Sequence, residues 1–166
     1  MADSIELGKH ERAWENLAGT YVVLQRAREL ELDKVGLTMA QAMVLYLVKS
    51  SKEPLTPVKL ARLMNRQPHS VSALVTRMRA QGLVSTTNDL CKKNMVRVSL
   101  TEKGEDAFKR QMAQTTARNV TTCLSEKEID SLNAICEKLR ASSVEVIRHM
   151  QPVPYTGLPS WPRGTT

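Results

Sequence analysis

The residues best placed to do chemistry lie between Pro68 and Gln81. At the helical period of about 3.6 residues, with Val71 at the centre of an apolar stripe, His69, Ser72, Ala73, Thr76 and Ala80 fall on the opposite side. Ser70 and Arg77 flank that side at one edge and Arg79 at the other. Small residues allow close approach, hydroxyls both donate and accept, and arginine grips a guanine edge or a phosphate. No acid occurs from Pro68 to Gln81. The chemistry on offer is therefore recognition of a polyanion, with a helix of this kind fitting the major groove of double-stranded DNA.

Catalysis finds no support. His10, His69 and His149 fall in separate segments, and no Gly-rich phosphate loop or nucleophile motif occurs. Cys91, Cys123 and Cys136 are too few and too scattered for a zinc cluster or a disulfide framework. The chain is expected to be no enzyme, to hold no metal and to need no cofactor. It lacks an apolar run approaching the ~20 residues that span a bilayer, and its start lacks the pattern of a secretory signal. No membrane association and a cytoplasmic location are the expectation.

Charge singles out the same segment. The formal net charge is +7. Between Pro54 and Leu100 stand eight basic residues (Lys59, Arg62, Arg66, Arg77, Arg79, Lys92, Lys93 and Arg97) against the single acid Asp89. The rest of the chain holds sixteen bases and sixteen acids and is neutral. One basic module on a neutral fold is the electrostatic pattern of nucleic-acid binding.

The elements that must position these residues follow from periodicity and punctuation. Trp14, Leu17, Tyr21 and Leu24 mark a first helix from about Lys9 to Leu32, broken at Asp33–Gly36. Thr38 caps a second helix running through Ser50, and Thr56-Pro57 opens a short third one burying Leu60, Leu63 and Met64. Asn65–Gln67 turns the chain into the Pro68 helix, whose stripe is Val71, Leu74, Val75 and Met78 and whose end is Gly82. The β-rich runs Leu83–Thr87 and Met95–Leu100 read as a hairpin. A long helix is expected from Thr101 onward, carrying Ala107, Phe108 and Met112 to the core. A last helix starts at the capping box Ser125–Glu128 and reaches about Met150. Residues 151–166, rich in proline, are expected to be a flexible tail.

The fold class is thus mainly α with a small β-hairpin wing: a winged helix-turn-helix with long N- and C-terminal dimerisation helices. We expect an N-terminal dimerisation helix over residues 1–36, the DNA-binding domain over 37–101, C-terminal dimerisation helices over 102–150 and the tail over 151–166. A winged-helix protein-interaction module without its own operator is the alternative. It would require an apolar or acidic patch on residues 69–80, where the sequence has polar and basic groups.

This order of elements resembles the MarR family of winged helix-turn-helix transcription factors. The resemblance is carried by Leu37-Thr38-Met39-Ala40-Gln41, by Leu60-Ala61-Arg62-Leu63-Met64, by the run Val71 to Met78 and by Gln81-Gly82-Leu83-Val84. Its most specific piece is Val98-Ser99-Leu100-Thr101-Glu102-Lys103-Gly104. It implies a homodimer on a pseudo-palindromic operator, read by His69, Ser70, Ser72, Ala73, Thr76, Arg77 and Arg79, with repression released by a small-molecule ligand. In the wing, Lys92, Lys93, Asn94 and Arg97 are the DNA contacts. Asp89 matches the family's wing pattern, but Lys92 replaces its later acid, and Lys93 and Asn94 stand where two arginines are usual. Lysine is a point charge without arginine's planar fork, so phosphate anchoring fits this wing better than minor-groove insertion. The resemblance also implies a small aromatic or anionic effector between the dimer helices and the DNA-binding lobe. Trp14, Tyr21, Met43 and Tyr46 are the candidate lining residues, at a spacing that plain core packing would also produce.

Overall fold

A computed structural model describes residues 8–89 and 95–150. Lys92, Lys93 and Asn94 of the expected wing, Cys91 beside them, and the expected 151–166 tail lie outside the described residues. Along the chain run α1 (Lys9–Asp33), α2 (Met39–Ser50), α3 (Pro57–Leu63), α4 (Pro68–Ala80), β1 (Val84–Asp89), β2 (Met95–Leu100), α5 (Glu102–Met112), α6 (Thr116–Thr121) and α7 (Glu126–Met150). The architecture is mainly helical with one antiparallel hairpin, as the sequence predicts. Its register pairs Val84 with Leu100 and Thr87 with Arg97. Leu55 adds an isolated bridge on Val98, whose N–H donates to the Leu55 carbonyl at 2.8 Å.

Short-range chemistry sets the helix ends. Thr38 and Gln41 form a reciprocal capping box on α2. The Thr56 hydroxyl accepts from the Lys59 N–H at 3.1 Å, with Pro57 in the first turn of α3. Helices α1, α3 and α4 all close in the same way, on a residue of positive φ: Gly36 (71°), Asn65 (50°) and Gly82 (72°). In each, the following N–H reaches back five residues to a helix carbonyl, Leu37 to Leu32, Arg66 to Ala61 and Leu83 to Met78. This is the Schellman arrangement, and in α1 and α4 it brings two buried apolar side chains together.

One hydrophobic core results. Leu32, Val44, Leu45, Leu60, Val71, Met78, Val84 and Val98 are its most enclosed members. Apart from Leu32, every buried apolar residue described lies between Leu37 and Ala107. The core therefore belongs to the winged segment and the start of α5, and the flanking helices touch it only at the last turns of α1.

The helix expected to run on from Thr101 is broken. It stops at Met112, and α6 begins afresh at Thr116. The buried carboxylate of Glu31 on α1 accepts the Thr116 N–H at 2.7 Å, satisfying a donor that helix continuation would otherwise use. Ala107 is buried and Phe108 half-buried as expected, but Met112 is 54% exposed and not part of the core. Leu60 is fully buried, whereas Leu63 and Met64 pack at the core's edge. Among the described residues, no helix is long and apolar enough to cross a membrane.

Candidate nucleic-acid interface

Helix α4 sits on the core through Val71, Leu74, Val75 and Met78, all buried. That stripe matches the one read from periodicity residue for residue. His69, Ser70, Ser72, Ala73, Thr76, Arg77 and Arg79 are all exposed, so the structure brings the expected reading residues together on one free face. Arg79 is turned toward the hairpin, where Nη1 donates to Thr86 Oγ1 at 3.2 Å. Arg97, opposite Thr87, is half-buried on β2.

What holds this helix in place lies mostly beyond it. Just past Ala80 the backbone carbonyls need partners outside the helical ladder. Lys103 Nζ donates to the Gln81 carbonyl at 2.8 Å, and the Thr101 hydroxyl donates to the Gly82 carbonyl. The Thr101 oxygen also accepts the Gly104 N–H at 3.1 Å, capping α5. Gly104 itself lies against the next carbonyl: a Cβ there would stand 2.0 Å from Leu83 O. Three consecutive backbone units, Gln81 to Leu83, are thus gripped by Thr101, Lys103 and Gly104. From the other side, Gln41 Nε2 on α2 donates to Gln81 Oε1 at 2.7 Å.

Neither Thr101, Lys103, Gly104 nor Gln41 figured among the expected site residues. The signal was nonetheless present in Thr101-Glu102-Lys103-Gly104, the most specific stretch of the sequence. It marks the residues that grip the backbone just past α4.

The candidate effector residues differ in exposure. Trp14 and Tyr21 are 71% and 60% exposed on α1, while Met43 and Tyr46 are half-buried against the core. An open groove of about 340 Å³ lies elsewhere, lined by Lys49, Lys52, Glu53, Leu55, Val98 and Glu105 among others. An ion pair between Lys49 and Glu105 (2.8 Å) crosses it. Among the described residues no cluster of His, Cys, Asp or Glu could hold a metal ion.

A MarR family model matches residues 35–93, the span from the approach to α2 through α4 into the wing. No curated protein sequence matches the chain. Among solved structures, the chain is similar to the organohalide-sensing RdhR transcriptional regulator. Its ligand-free form shares 28% identity over 94% of this chain and 91% of that one, at a TM-score of 0.78. Its 2,4-dichlorophenol-bound form shares 31% over 82% of each chain, at 0.72. A mutant of MarR from E. coli, complexed with operator DNA, is 19% identical over 82% of this chain and 99% of that one, and at a TM-score of 0.72 it shares the fold. With the winged helix and its mounting in place, the chain belongs to the MarR family of DNA-binding transcriptional regulators.

Proposed function

We propose that the protein works in the cytoplasm as a homodimeric repressor on a pseudo-palindromic operator, released by a small aromatic or anionic effector. The observation that carries the DNA reading is the exposed face of α4, polar and basic without an acid, on a helix seated on the core and held just past its C-terminal end by Lys103 and Gln41. His69, Ser72, Thr76 and Arg77 are its base-reading residues, with Ser70, Ala73 and Arg79 beside them. Lys92, Lys93, Asn94 and Arg97 anchor phosphates.

Dimerisation is supported by α1 and α7, each 25 residues long. Trp14, Tyr21 and Val23 on α1, and Leu132, Ile135, Leu139 and Val146 on α7, leave extensive apolar surface open to water in one chain. Exposed apolar side chains in such number along two long helices support an association site. Residues 1–36 and 102–150 form the dimerisation part and 37–101 the DNA-binding part. Two copies present two reading helices to two half-sites, which supplies the contacts that a single helix lacks.

An effector is supported by the RdhR relative, solved with 2,4-dichlorophenol bound. A pocket using Trp14, Tyr21, Met43 and Tyr46 would be completed by dimer formation, which supplies cover for the exposed α1 residues.

Selection of duplexes from a random library, followed by titration of the selected operator, tests the DNA reading. Arg77→Ala is expected to weaken the selected operator by about 1–3 kcal/mol and to relax the preference at one position in each half-site. Unchanged affinity and preference would remove Arg77 from base reading. Addition of 2,4-dichlorophenol to the complex tests the effector class, with release of DNA as the expected result.

A further inference from the structure

Because α5 packs on the DNA-binding lobe through Ala107 and Phe108, the lobe together with α5 is joined to the remaining flanking helices at two places. One is the end of α1, where Leu32 and the Asp33–Gly36 turn lead into α2. The other is Ala113–Thr115, between α5 and α6. Any change in the angle between lobe and flanks must bend both.

Glu31 joins the two crossings. It lies one residue before Leu32 and is 5% exposed, one of few charged side chains withdrawn from water in the described chain. One carboxylate oxygen accepts the Thr116 N–H at 2.7 Å, at the first residue of α6. The other pairs with the Arg28 guanidinium, one turn earlier on α1. Arg28 continues the chain of contacts through Nη2 to the Gln111 carbonyl at 3.4 Å, in the last turn of α5. Gln111, 2% exposed, donates in turn from Nε2 to the Ala42 carbonyl of α2 at 3.2 Å. Four helices are thereby tied by polar contacts at the point where lobe and flanks part.

A buried carboxylate is costly unless it is paired and hydrogen-bonded. Here burial pushes the Glu31 carboxyl up, but the hydrogen bonds from Thr116 and the charge of Arg28 outweigh it and hold the group below its ordinary value. Hydrophobic packing alone would let α1 slide or rock on the lobe. The Glu31 carboxylate bonds α6 directly and, through Arg28, the last turn of α5, so directional contacts from α1 hold both sides of the elbow.

We propose that Glu31 is a positioning residue for DNA recognition: by latching α1 to the α5–α6 elbow it fixes the lobe on the dimer helices, and so sets the half-site spacing the protein accepts. This rests on the dimeric reading above. A lobe free to rock would carry its α4 over a range of positions relative to the partner copy's, and operators of several spacings would then bind alike. The latch acts at a distance from DNA and contributes no base contact.

The test uses the full chain and the duplex selected by the wild-type protein, with its spacer shortened or lengthened by one base pair. A one-base-pair change shifts the half-sites by about 3.4 Å and about 35° around the helix, and the wild type is expected to lose on the order of tenfold or more in affinity. Glu31→Ala is expected to reduce that penalty to about threefold or less while the dimer and its melting transition persist. Glu31→Gln, whose amide oxygen still accepts the Thr116 N–H, should restore much of the wild-type preference. Should Glu31→Ala not fold, Arg28→Met, which keeps the apolar stem and removes the guanidinium, takes its place with the same expected loss of preference. A folded, dimeric Glu31→Ala or Arg28→Met variant with the wild-type spacing preference overturns the latch alone. A monomeric wild-type protein overturns the dimeric reading and the latch together.

Discussion

The winged lobe and the helices that flank it obey different rules of stability. Between Leu37 and Ala107 the chain largely satisfies itself: α2, α3 and α5 carry side-chain N-caps, apolar stripes face inward, and the Gln81 and Gly82 carbonyls just past α4 have named partners. Helices α1 and α7 are longer, yet most of their apolar residues face water in a single chain. The lobe carries nearly all of the buried core. The proposed dimer would complete the flanks, since burial against a partner and not helix propensity is what stabilises most amphipathic helices. In the proposed dimer this division would let association and DNA reading vary independently.

Three substitutions break or sharpen that contrast. Met78→Ala opens a cavity under α4 at a side chain with no exposed surface. We expect about 2–5 kcal/mol of destabilisation in denaturant titration, with the dimer dissociation constant little changed. Loss of dimer at native conditions would show that lobe and flanks fold as one. Gly104→Ala forces a methyl into the Leu83 carbonyl. It should destabilise by about 1–3 kcal/mol and weaken specific DNA binding beyond that, because the strain is relieved only by moving α5 from the end of α4. Leu139→Glu on α7 should do the reverse of both. Its effect on lobe stability is expected to stay within about 0.5 kcal/mol, while sedimentation shows dissociation into single chains. A dimer that survives it would move the association surface off that face of α7.

Most of the lobe was legible because its determinants are local. The Thr38 cap, Thr56 with Pro57, and Gly82 after Met78 act within five residues, and periodicity alone identifies the buried face of α4. The same locality explains the exposed reading face, which is what the buried stripe leaves over. Contacts made across the fold left no such trace. Glu31 and Thr116 are 85 residues apart, so the break between α5 and α6 is invisible in a local pattern that continues helically through Met112. Periodicity likewise placed Arg79 on the reading helix but could not show its bond to Thr86, which depends on how β1 returns beside α4. Thr38 is legible as the cap of α2, but the part of Gln41 in that capping box and the reach of its amide to Gln81 are seen only in the fold. The wing tip departs from the family pattern in its sequence, and Lys92, Lys93 and Asn94 lie outside the described residues.

The contact of Gly104 with the Leu83 carbonyl has a bearing on how such proteins diverge. A spacing set by side chains drifts whenever core residues change size, because each new volume shifts the elements around it. A spacing set by backbone resting on backbone contains no side-chain volume at all. The hydrophobic interior can then be rewritten over generations while α4 keeps its seat relative to α5. Evolution is left free to alter the exposed residues of α4, and with them the DNA sequence that is read, without rebuilding the mount.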